Sequence, residues 1–71
     1  MEYLVVVEKG SSGYGAHVPD LPGCIAVAES RSEVLRQIRH AIELHIAALR
    51  DSGQSIPAPN SRSEVVKVNA A

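Results

Sequence analysis

The chain carries one cysteine, one methionine, two tyrosines and no tryptophan or phenylalanine in 71 residues. Each shortage closes a route. With Cys24 as the sole cysteine, no disulfide can form within one chain, and a lone thiol fits a reducing, intracellular compartment. The three histidines, His17, His40 and His45, are too few and too scattered for a structural zinc site. His40 and His45 stand five apart on a predicted helix and project from different sides of it. Tyr3 and Tyr14 do not make a stacking platform for nucleic-acid bases. They read as core or edge packing, with partner contact as the alternative. Nor is there an excess of positive charge: 7 Lys and Arg against 8 Asp and Glu leave a net charge of −1. That is a poor electrostatic footprint for a nucleic-acid binder. The apolar run Tyr3-Leu4-Val5-Val6-Val7 is too short for a signal-peptide core or a membrane span. The expectation is a soluble, cytoplasmic domain with no cofactor and no membrane contact.

A chain of this length makes one small domain, residues 1–71. Such a domain buries only about 60% of the surface its unfolded chain exposes. Small cores are usually reinforced by disulfides, a metal or oligomerisation. The first two are disfavoured here, which leaves self-association.

Glu2 to Glu8 reads as a strand in which both alternate sets are apolar: Tyr3, Val5 and Val7 on one side, Leu4 and Val6 on the other. Gly10-Ser11-Ser12-Gly13 is a turn, and Tyr14 to Val18 completes a hairpin. Pro19-Asp20-Leu21-Pro22-Gly23 stops that strand. Cys24 to Ala28 is a third strand of small residues. Ser30, with Glu33 three residues on, has capping-box spacing. Apolar residues then recur near the helical period at Val34, Leu35, Ile38, Ala41, Ile42, Ile46 and Leu49, up to the stop signal Gly53. The helix is predicted over roughly Arg31 to Asp51. Ile56-Pro57-Ala58-Pro59 is an extended connector, and Ser63 to Val68 is predicted as a short last strand.

The predicted fold is α+β with order βββαβ: a three-stranded antiparallel meander, one long helix packed on one sheet face, and a fourth strand placed beside the first. One helix covers only one face of a sheet. The first strand is apolar on both sides, so a second copy or another protein is expected on the bare face, with Tyr3, Leu4, Val5 and Val6 as the candidate interface.

Several side chains invite sharper readings. Asp20 is the most tempting acid, but a nuclease needs several carboxylates converging on a divalent metal. Glu33 is taken by the cap, Glu43 by a solvated helix face, and Glu2 and Glu8 flank the first strand. A turn-forming Asp20 bonded to nearby amides is the plainer account. Cys24 would be a nucleophile only beside a base such as His17 on the neighbouring strand; otherwise it is a buried space-filler. His45 reads as a buried or interface histidine. Arg31, Arg36, Arg39 and Arg50 read as a solvated helix face. The Pro19–Gly23 loop is stiffened by two prolines. It is either a recognition surface that exposes Leu21 or simply a well-made turn.

The run from Tyr14 to Cys24, with its Pro19-Asp20-Leu21-Pro22-Gly23-Cys24 core, resembles the signature of the HicB-like antitoxin family. So do Glu29-Ser30, Glu33, Ala41-Ile42, His45, Gly53 and Ile56-Pro57-Ala58-Pro59. The resemblance implies a partial RNase H-like fold without a nuclease site. It also implies self-association as a dimer or tetramer, and neutralisation of a small mRNA-cleaving, HicA-like toxin by occlusion. Family members often carry a C-terminal DNA-binding module. This sequence ends soon after its last predicted strand, so direct DNA binding is not expected of it. The candidate partner contacts are Asp20 and Glu29 as acids, with Leu21 and Pro22 as apolar contacts. The alternatives are a solitary homo-oligomeric structural or regulatory domain with no toxin, or a vestigial metal-dependent nuclease.

Overall fold

A computed structural model describes residues 1–70. Three short strands, β1 (Val6–Lys9), β2 (Tyr14–His17) and β3 (Ile25–Ala28), precede one helix, α1 (Arg31–Asp51). The sheet order is β1-β2-β3, antiparallel throughout. The α+β class, the meander and the single long helix agree with the sequence reading.

The helix ends are built by local chemistry. Ser30 sits in extended backbone (φ −129°, ψ 158°), and its hydroxyl accepts the Glu33 amide at 3.2 Å. That satisfies one of the amides left without a partner at a helix start. The Glu33 carboxylate lies 3.6 Å from the Arg36 guanidinium. At the other end, the Gly53 amide donates to the Arg50 carbonyl and the Gln54 amide to the Leu49 carbonyl. This is the Schellman arrangement, and Gly53 adopts the positive φ of 72° that it requires.

The helix lies across β3 and β2. Between them sits the core: Ala16, Val18, Leu21, Cys24, Val34 and Ile38. Tyr3, Val5, Val7, Tyr14, Ala26, Ala28, Ala41 and Ile42 pack around it. Full burial of a side chain such as Leu21 or Ile38 contributes roughly 1.5–3 kcal/mol.

Two expectations are corrected. The first strand begins at Val6 rather than Glu2. The β1–β2 ladder starts where Val6 faces His17; one residue further along β2, the Val18 amide is committed to the Cys24 carbonyl. The predicted fourth strand over Ser63–Val68 is not formed. Residues 62–70 have no regular secondary structure and are exposed throughout. A strand is defined by its ladder, and beyond Ser61 this segment meets no neighbour to pair with.

Candidate functional site

The pleat of the sheet sorts its side chains into two sets. On the helix side stand Ala16, Ala26 and Ala28, with Val7 of β1 and Val5 just before it. On the opposite side, the cross-strand rows are Val6–His17–Ile25 and Glu8–Gly15–Val27. Ile25 is 67% exposed and Val27 74%. Leu4 and Val6, on the same side by alternation, are half-buried. The open face therefore exists as expected, but its most exposed hydrocarbon is on β3. Tyr3 and Val5, expected at the bare interface, turn instead to the core. The Tyr3 hydroxyl donates to the Pro57 carbonyl in a short hydrogen bond that ties the connector to the residues leading into β1.

The Pro19–Gly23 loop is folded inward. The Leu21 amide donates to the Val18 carbonyl at 3.0 Å, and the Leu21 carbonyl accepts the Cys24 amide at 3.0 Å. The Val18 amide closes the loop on the Cys24 carbonyl. Proline has no amide to donate, so the prolines are left at the exposed corners and Leu21 carries the internal bonds. Its side chain is fully buried. This corrects the expectation that the loop exposes Leu21: that residue is a core plug, while Pro22 and Glu29 remain exposed. Gly23 takes φ 84°, which lets the loop re-enter β3.

Asp20 is engaged across the chain. Its carboxylate accepts the Ser61 amide and the Ser61 hydroxyl, each at 2.8 Å. These two bonds, the amide first, hold the carboxyl below its ordinary value of 3.8. Asp20 thus bonds a residue 41 positions away, not the nearby amides that turn chemistry suggested. Ser61 and Pro57 carried no sequence signal of these roles: a serine after a proline-rich connector says nothing about which carboxylate it will meet.

The remaining candidates are placed plainly. Cys24 and His17 do not form a pair. His17 faces Ile25 on the open side, and Cys24, next to Ile25, points into the core. Burial also pushes the Cys24 thiol up, away from the reactive thiolate. His45 is half-buried and His40 is exposed, 3.9 Å from Glu43. Arg31, Arg36, Arg39 and Arg50 are exposed. Among the described residues, no three His, Cys, Asp or Glu side chains gather where they could hold a metal, and no helix is long and apolar enough to cross a membrane.

The arrangement presents exposed Ile25 and Val27 on the open face of β3, an edge of β3 with no strand beside it among the described residues, and exposed Glu29 just after that strand. Over residues 3–70 the chain matches a family model described as HicB-like antitoxin of bacterial toxin–antitoxin system. It is 34% identical over 67 residues to a UPF0150 protein of Thermoplasma acidophilum, covering 93% of this chain and 97% of that one. A UPF0150 protein of Helicobacter pylori is 48% identical over 44 residues, 62% of this chain and 61% of that one. An uncharacterised 14.9 kDa protein of Haemophilus phage HP1 is 33% identical over 60 residues, 84% of this chain. Those residues span 45% of the phage protein's length.

Proposed function

We propose, from the premise that this chain belongs to the HicB-like antitoxin family of bacterial toxin–antitoxin systems, that it is a non-catalytic cytoplasmic binding module. It neutralises a small mRNA-cleaving, HicA-like toxin by covering the toxin's active surface, and it self-associates. The observation that carries this reading is the exposure of Ile25 and Val27 on the sheet face opposite the helix. Large apolar groups at a free sheet edge mark an interaction site. Pro22 and Glu29 are exposed next to that face and supply an apolar and an acidic contact. Asp20 and Leu21 act behind it: the first clasps Ser61, the second fills the loop.

The test is co-expression with a HicA-like toxin encoded beside the gene. The expected result is rescue of growth and a complex that co-purifies, with Glu29→Arg weakening both. If the parent protein neither binds nor rescues, the antitoxin reading fails.

A second reading is a solitary homo-oligomeric domain with no toxin, since exposed Ile25 and Val27 suit a second copy of the chain as well as a foreign partner. Under that reading the purified chain assembles with itself, and the toxin pull-down stays empty.

A further inference from the structure

The last segment of the chain has strand chemistry without a strand partner. Glu64-Val65-Val66-Lys67-Val68 holds three β-branched valines, and Val65 is 100% exposed, with Val66 and Val68 above 70%. The clasp of Ser61 on Asp20 fixes where this segment departs, at the β2–β3 loop. From there, at roughly 3.3 Å per residue, Val68 lies up to about 23 Å out. The molecule is 52 Å in its longest dimension, against about 31 Å for a 21-residue helix.

The same molecule carries an acceptor without a donor. The outer edge of β3, Ile25-Ala26-Val27-Ala28, has β2 on one side and no strand on the other. It contains no charge and no proline, the usual devices that blunt an edge. β1, by contrast, ends in the charged pair Glu8-Lys9. Beside the β3 edge runs a groove bounded by Ile25 and Ala26 on the sheet and by Arg36, Arg39, Glu43 and Leu44 on the helix. Leu44 is 59% exposed.

We propose that residues 64–68 of one copy form a fourth strand on the β3 edge of a second copy, so that two chains exchange their C-terminal segments. This deepens the self-association proposed above and rests on it. Alternation suits the exchange in either facing. Val66 and Val68 share one side and Val65 the other, so at least one valine meets Leu44 and at least one joins Ile25 and Val27. The groove's Arg36, Arg39 and Glu43 have counterparts in Glu64 and Lys67 of the incoming strand. The exchange is reciprocal, so a two-fold pair satisfies both edges and closes the assembly.

The experiment is sedimentation of the full chain combined with amide hydrogen exchange. The parent is expected to be a dimer whose amides at 64–68 are protected. The double variant Val65→Pro/Val66→Pro removes a ladder donor whichever of the two adjacent amides faces β3, at positions outside the folded body. It should yield a monomer with unchanged helical signal and unprotected tail amides. Val27→Lys, which places a charge at the acceptor edge, should do the same. A parent dimer with unprotected tail amides, or one that survives either substitution, overturns the exchange while leaving self-association standing. A monomer with protected tail amides means the segment folds onto its own sheet, and it overturns both.

Discussion

The two faces of the sheet differ in a way that reverses the usual expectation for a strand. On the helix side β3 presents alanines, Ala26 and Ala28; on the open side it presents its large residues, Ile25 and Val27. Hydrophobicity alone would bury the larger pair. The helix settles the matter the other way. It lies closest over β3 and β2, and small side chains let it seat there with Val34 and Ile38 filling the space between. The covered face is packed by the helix's side chains, and the open face keeps the hydrocarbon that has no lid. Along β3, size rather than polarity separates the two faces, and the larger side chains of this strand lie on the uncovered one.

That contrast is broken most severely from the covered side. Ile38→Ala and Leu21→Ala each delete a fully buried branched side chain. Each is expected to cost about 2–5 kcal/mol, measured as a shift in the urea midpoint with the slope unchanged. For a domain of 71 residues, total stability is about 4–10 kcal/mol, so either substitution removes a large share of it. If Leu21→Ala proved neutral, the loop would not be the core plug described above. Ser30→Ala comes next. Losing the hydroxyl that accepts the Glu33 amide should cost about 1 kcal/mol, read in the same titration. The helix seats the covered face, so this loss weakens that face without touching the open one.

How far these features could be read in advance follows from their range along the chain. The helix was legible to its ends because its signals are local: the hydroxyl of Ser30, the period from Val34 to Leu49, and Gly53 where a left-handed residue is needed. The hairpin was legible for the same reason. Leu21 was misread because a residue between two prolines looks exposed. The bonds that turn it inward, to Val18 and Cys24, follow from proline's missing amide only once the loop is closed. The split of β3 into buried alanines and exposed Ile25 and Val27 depends on how closely a helix several residues later approaches. The Asp20–Ser61 clasp is longer in range still. Valine content suggested a strand over 63–68, and none forms there: composition cannot supply the neighbour that makes a strand.

The clasp predicts a smaller, pH-linked effect. Because Ser61 stabilises the ionised carboxylate, the folded-state pKa of Asp20 is lowered from 3.8. The clasp's contribution is therefore complete above that value and is lost as pH falls through the lower folded-state one. Acidification should release the connector first, seen as a loss of protection at the Ser61 amide relative to its intrinsic exchange rate at each pH, while the helical signal persists. Asp20→Asn keeps one acceptor oxygen. It should hold the connector more weakly and show no such acid step.

The smallest expected effect is the most discriminating for the comparison. Ile25→Ala deletes the same atoms as Ile38→Ala, but from a side chain that is 67% exposed rather than 2%. In dilute solution, with the chain monomeric, it should change stability by no more than about 0.5 kcal/mol. Raising the protein concentration should then separate parent from variant, because association stabilises only a chain whose interface is intact. A cost that is already large at high dilution would mean the open face packs within the monomer. A difference that stays small at every concentration would mean nothing associates through Ile25. Only a penalty that grows with concentration makes the uncovered side chains of β3 the place where this domain meets its neighbour.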